Sequence, residues 1–201
     1  FCAKLQPWKR PFDLLRAFAQ AAVPNARLVF AGEGPLRAPL EVEAASLGIH
    51  GRTLFLGFVN QSKLPAVYTT ADLLVLPSAY EPFAVVVNEA MLCGCPVAAS
   101  DRVGAARDLI VSGQTGFVYP CGDVPALSAL LRQMLSDPSR LRAMGCMAAQ
   151  RMASWSPCEN IAGQITAITR AVHRRCGQPW PREKTFLAGS LARMFPKKSP
   201  R

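Results

Sequence analysis

Four charged side chains in this sequence stand where an anionic, hydroxyl-bearing ligand would need them: Lys4 and Lys9 near the start, Glu81 and Glu89 in the middle. A lysine offers a point charge to phosphate. Glu81 falls in the turn Ser78-Ala79-Tyr80-Glu81-Pro82-Phe83. Glu89 lies eight residues on, within Val85-Val86-Val87-Asn88-Glu89-Ala90-Met91-Leu92, a run too apolar for an outer helix face. Carboxylates placed before and within such a helix are costly to shield from water unless they bind something. The helix start beside Glu81 leaves the backbone N–H groups of Phe83, Ala84 and Val85 without intrahelical partners, which suits a phosphate. Hydroxyls at one place and phosphate at another describe a nucleotide-sugar. The plainer alternative, two surface lysines and two solvated carboxylates, stays open at this level.

The elements that must position these groups alternate regularly. A strand over 73–76, a turn, a helix from about 84 to 93 halted by Gly94, and a strand over 97–100 form the central stretch. Before it, residues 1–5 read as a strand end and 12–21 as a helix with Leu14, Leu15, Ala17 and Phe18 inward. A strand over 25–32 then leads through Pro35 into a helix reaching about 47, with Leu36, Leu40, Ala44 and Leu47 inward, followed by a strand over 53–58 and a helix over 61–69. After it come a short helix ending near 110 and a strand over 117–119. Helices over 124–135, 139–152 and 157–174 complete the order, with Asp123 and Ser156 as N-caps of the first and last. Short apolar strands separated by helices imply βαβ crossovers and a parallel sheet covered on both faces. Ligands of such sheets bind beyond the carboxyl ends of the strands. Lys4, Lys9, Glu33, Glu81, Asp101 and Gly104 each follow a predicted strand, which argues for one shared cleft.

Composition narrows the class. A chain of 201 residues, half apolar and 18% charged, is a globular protein of one core with an appendage. Its apolar runs fall short of the roughly 20 residues that span a bilayer. It opens on Phe-Cys-Ala-Lys-Leu, without an initiator Met, and is read as a piece of something longer. Of the formal charge of +10, residues 173–201 carry +7, so the body is nearly neutral and a nucleic-acid groove across it is not expected. Seven cysteines, without framework spacing, read as reduced thiols, and Cys93 and Cys95 as small residues packed at a turn. His50 and His173 stand apart from the charged motifs.

Several motifs occur together and in order. They are Ala3-Lys4-Leu5-Gln6-Pro7-Trp8-Lys9, Gly32-Glu33-Gly34-Pro35, Leu56-Gly57-Phe58-Val59, Glu81-Pro82-Phe83-Ala84 through Glu89, and Val103-Gly104-Ala105-Ala106-Arg107-Asp108. Thr115-Gly116-Phe117 and Gly122-Asp123 follow. Taken one at a time, each has a structural explanation: a strand-to-helix turn, a strand end, a helix-start carboxylate at Asp108. Taken together, over residues 1–172, they resemble the retaining glycosyltransferases of family 4, the group 1 set with the GT-B architecture. The central motif resembles their E-x7-E pattern, with Ala84 where the family has glycine, and Lys4 stands where it usually has arginine. A methyl group at 84 would crowd the sugar or shift a phosphate contact, and lysine loses the bidentate fork of arginine.

The resemblance implies an α/β, Rossmann-like parallel sheet with helices on both faces and a helical C-terminal end, the donor-binding half of a two-domain enzyme. Lys4 and Lys9 would neutralise the leaving diphosphate, helped by backbone at Ala84, Val85, Gly104 and Ala105. Glu81 would hold the donor sugar and Glu89 the ribose. Gly34, Val59 and Phe83 would complete donor binding, with main chain near Val59 against the base. Without a D-x-D pair, metal-independent chemistry is expected, with the nucleotide-diphosphate sugar as substrate and no cofactor. The acceptor, a glycan, lipid or small molecule, would bind a part absent from this chain. Residues 1–174 would form the nucleotide-sugar domain. The basic tail, 175–201, is read as disordered or as a docking segment, including peripheral contact with a membrane surface. Localisation is expected to be cytoplasmic, or at the cytoplasmic membrane face. The alternative is a non-catalytic nucleotide-binding module or inactive relative; a nucleic-acid binder acting through the tail is a third reading.

Overall fold

Alternate residues on each inner strand face opposite ways, and here both directions lead into a core. The computed structural model describes residues 1–155 and 157–175. Strands β1 (Leu28–Ala31) and β2 (Thr53–Gly57) pair in parallel, and β3 (Leu74–Leu76), β4 (Val97–Ser100) and β5 (Gly116–Tyr119) form a second parallel ladder. Val75 and Ala98 join one core with Leu14, Leu15 and Phe18 of α1 (Pro11–Ala21), Leu40 of α2 (Arg37–Ser46), and Leu127 and Leu131 of α6 (Val124–Leu135). Leu74, Leu76, Val97 and Ala99 join the other. Its helical side comes from Tyr68 of α3 (Leu64–Thr70), Val87 and Met91 of α4 (Val85–Leu92), and Leu109 of α5 (Gly104–Leu109). Helices therefore cover both faces, and the inner strands are apolar throughout for that reason. The fold is the Rossmann-like α/β arrangement expected.

Helix α7 (Pro138–Met152) serves both cores, with Leu141 and Met144 in the first and Ala148 and Met152 in the second. Asp137 begins it, accepting from the Arg140 N–H at 3.0 Å; Asp123 does the same for α6, accepting from the Ala126 N–H at 2.8 Å. The expected start of α7 at 139 overlooked this cap.

Two strand expectations change. Residues 1–5 form no full strand. Cys2 bridges Ala31, the Phe1 amine donates to Val29 O at 2.9 Å, and a 3-10 turn over Pro7–Lys9 then redirects the chain. On β2, Leu54 and Leu56 are exposed, because that strand has a neighbour on one side only.

The chain divides into two compact units after Ala153. The second contains α8 (Pro157–Arg175), on which Ile161, Ile165, Ile168 and Val172 are exposed. The expected domain boundary at 174 falls at the end of this helix. The expected cap at Ser156 and the basic tail from 176 onward lie outside the described residues. Among the described residues, no helix is long and apolar enough to cross a membrane.

Candidate functional site

Two glycines lock the Lys4 segment in place. A Cβ on Gly32, whose φ is +151°, would stand 1.9 Å from the Ala3 carbonyl oxygen, and one on Gly34 would stand 2.4 Å from that of Leu5. Their backbones therefore lie directly against residues 3–5. The Ala3 N–H donates to Ala31 O at 3.1 Å and the Leu5 N–H to Glu33 O at 2.9 Å, so Lys4 is held between two main-chain bonds with its side chain exposed. Gly34 thus acts through packing. Glu33, in the loop before α2, turns to Arg37 at the start of that helix.

Lys9 reaches the site by a different route. The Ala79 N–H donates to Trp8 O at 2.7 Å, which ties the 3-10 turn to the chain leaving β3. This brings the Lys9 ammonium onto Glu81 Oε1 as a hydrogen-bonded ion pair, although the two residues are 72 apart in sequence. Both side chains are largely shielded, at 16% and 12% exposure, so the pair is screened less than a surface pair. Ser78 Oγ lies 3.5 Å from the same carboxylate oxygen and is a weak second donor.

These residues line a cleft of ≈ 390 Å³, walled by Lys4, Lys9, Glu81, Ala84, Val85 and Val86, with Trp8 and Gln6 at the same wall. The first turn of α4 opens onto it, and no side chain caps that helix. Its leading N–H groups, at Val85 and Val86, are those that lack intrahelical partners. They lie one position later than the sequence placed the helix start. Ala84 precedes them in the left-handed region, at φ 81° and ψ 78°, a conformation that suits glycine and strains an alanine. Phe83 is partly exposed beside it.

The amides of Gly104 and Ala105, expected to serve a phosphate, are hydrogen-bonded within the protein. The Gly104 N–H donates to Glu81 O at 2.9 Å and the Ala105 N–H to Phe83 O at 2.7 Å, so both amides are already taken. A Cβ at Gly104 would stand 2.1 Å from the Pro82 carbonyl oxygen. This glycine lets the 81–83 turn rest on the start of α5 and so sets the height of Glu81. Asp101 likewise does structural work, accepting from the Cys121 N–H at 3.0 Å.

Val59 does not line the Lys9–Glu81 cleft. It lies in a separate open groove of ≈ 600 Å³ with Leu56, Phe58, Ala66 and Val67. Glu89 is partly buried on α4, and its carboxylate accepts from Tyr68 Oη at 2.9 Å. Sequence reasoning missed Tyr68 and Trp8. An aromatic set between Lys4 and Lys9 was a usable signal for Trp8, whereas nothing local marks Tyr68. Cys95 is a packing residue whose thiol burial pushes up to about 12. Among the described residues, no group of three or more His, Cys, Asp or Glu is placed to hold a metal ion.

The model of the family described as glycosyl transferases group 1 matches residues 1–151. The chain belongs to that family. This group 1 chain is 33% identical over 159 residues to a glycogen synthase of Mycobacterium tuberculosis, covering 79% of this chain and 38% of that protein. It is 32% identical over 161 residues to the N-acetyl-alpha-D-glucosaminyl L-malate synthase of Bacillus anthracis, covering 80% of this chain and 42% of the relative. The chain thus spans less than half the length of these curated relatives. Among solved structures it superposes on HepE of Anabaena, in complex with UDP, with a TM-score of 0.73 at 28% identity, covering 85% of this chain and 47% of that one. Sucrose-phosphate synthase of Thermosynechococcus elongatus gives 0.71 at 30% identity, covering 86% and 44%.

Proposed function

We propose that this chain is the donor-binding half of a glycosyltransferase of family 4, one that moves a glycosyl group from a nucleotide-diphosphate sugar to an acceptor with retention at the anomeric carbon. The observation that carries this is the meeting of Lys9 and Glu81 at a cleft whose wall is the uncapped start of α4. As the bond from the anomeric carbon to the diphosphate breaks, its electron pair leaves with the phosphate oxygen. Lys4, Lys9 and the amides of Val85 and Val86 are the positive groups that would meet the growing charge. Glu81 would accept from the donor-sugar hydroxyls, with Lys9 turning from Glu81 to the diphosphate as the donor enters. Glu89 would accept from the ribose, and the groove at Val59 would take the base.

Family membership and the relatives' names support the transferase reading. The solved complexes of HepE with UDP and with UDP-glucose make uridine nucleotides the first to try. The chemistry is proposed to need no divalent ion, so EDTA should leave donor binding unchanged. The acceptor, and the groups that bind it, are proposed to come from beyond this chain, because the transition state forms only when donor and acceptor are held together. A cytoplasmic setting suits an activated nucleotide donor.

One observation favours a second reading. Ala84 holds a strained backbone and puts a methyl group on the cleft, as in a relative that binds nucleotide but has lost sugar transfer. Calorimetric titration with UDP and with UDP-sugars separates the two. An affinity gain from the sugar, abolished in Glu81→Ala, supports the transferase; equal affinity for UDP and every UDP-sugar supports the module.

A further inference from the structure

Glu89 lies one helical turn beyond Val85 and Val86, two residues of the cleft wall, and so shares their face of α4. One of its oxygens is already engaged. Tyr68 Oη donates to Oε2 at 2.9 Å, and the same hydroxyl stands 3.4 Å from Cys2 Sγ, on a residue that also lines the cleft. The Tyr68 ring is 2% exposed and packed with Leu74, Leu76, Val87 and Met91. Burial in this cluster and the hydrogen bond to Glu89 restrict where the hydroxyl can sit. Burial raises the phenol above its ordinary value, followed in importance by the Cys2 contact and then Glu89, so it remains a proton donor. Among the described residues, Tyr68 is the group that holds this carboxylate.

We infer that Tyr68 is a positioning residue for nucleotide recognition: by holding Oε2 it fixes the Glu89 carboxylate and leaves Oε1 to accept from the vicinal hydroxyls of a ribose. This rests on the donor-binding reading above. A glutamate ordered before the ligand arrives loses less side-chain freedom on binding than a free one. Removing the tyrosine hydroxyl should therefore weaken ligands that use Glu89 and spare those that do not. A purely structural role would weaken both alike.

The test is calorimetric titration of the 201-residue chain with UDP and with its 2′,3′-dideoxy counterpart, in the wild type and in Tyr68→Phe. The wild type should prefer UDP. Tyr68→Phe should cut that preference roughly three- to tenfold, the range a single hydrogen bond supplies, with affinity for the dideoxy nucleotide unchanged. Equal weakening of both nucleotides, or an unchanged preference, overturns the role of Tyr68 while leaving the donor-binding reading intact. A wild type that binds neither overturns that reading and this inference with it. Should Tyr68→Phe fail to fold, 3-fluorotyrosine at position 68 of the otherwise native chain supplies the readout. Its fluorine resonance should move with UDP and stay fixed with the dideoxy form; equal movement with both overturns the inference.

Discussion

Replacing Ala84 with glycine should stabilise the protein and open the cleft together, two effects that seldom coincide. Ala84 sits at φ 81° and ψ 78°, where an L-residue costs about 1–2 kcal/mol through the clash of Cβ with the following carbonyl. Glycine removes that cost but frees the unfolded chain, losing about 0.4–1 kcal/mol. The balance is a gain of roughly 0.5–1 kcal/mol, or about 1–4 °C in Tm for a chain of this size. Urea unfolding should show a raised midpoint with an unchanged slope. Ala22 is the control, since it is also left-handed, at φ 50° after α1, exposed and remote from the cleft. Ala22→Gly should give a similar gain in stability with nucleotide-sugar affinity unaltered, whereas Ala84→Gly should also tighten or broaden nucleotide-sugar binding. A destabilised Ala84→Gly variant would refute the strain argument. Stability gained without any change in sugar binding would refute the placement of this methyl group against the donor.

Gly104→Ala should act in the opposite direction. Its methyl group would meet the Pro82 oxygen at 2.1 Å, so the 81–83 turn must move, costing about 1–3 kcal/mol or more; a lowered urea midpoint together with weakened sugar-dependent binding is expected. At the start of α7, the Ser139 hydroxyl and then the Arg140 N–H hold Asp137 below its ordinary 3.8. A depressed carboxylate contributes stability above its unfolded value and loses it as pH falls through the folded one. Amide protection factors in the first turn of α7, which correct for intrinsic exchange, should therefore fall as pH drops below about 3.8, and Asp137→Asn, which keeps the acceptor but does not titrate, should flatten that dependence.

The order of strands and helices was legible because the inner strands are uniformly apolar and the helices periodic, patterns that survive without knowledge of neighbours. β4 and α6 match their expected bounds. The joining of Lys9 to Glu81 was legible for a similar reason: both were expected just beyond strand ends, which a parallel α/β fold gathers at one edge, although residues 1–5 form only a bridge to Ala31. What could not be read depends on contacts between distant segments. The amides of Gly104 and Ala105 are consumed by carbonyls at 81 and 83, a pairing that composition cannot reveal. Tyr68 meets Glu89 across two helices. Ala84 was legible as a departure from a pattern, while its left-handed backbone required coordinates. Val59 was expected against the base from its motif alone, and its groove at the end of the edge strand β2, separate from the Lys9–Glu81 cleft, required coordinates.

A crystal structure of the chain soaked with UDP-glucose would show whether the donor occupies the Lys9–Glu81 cleft. The diphosphate should lie at the first turn of α4, within hydrogen-bond distance of the Val85 and Val86 amides and of Lys9, with the sugar hydroxyls on Glu81. A donor bound in another cavity, such as the one lined by Phe1, Asn25 and Leu131, with the Lys9–Glu81 pair left intact, would contradict it.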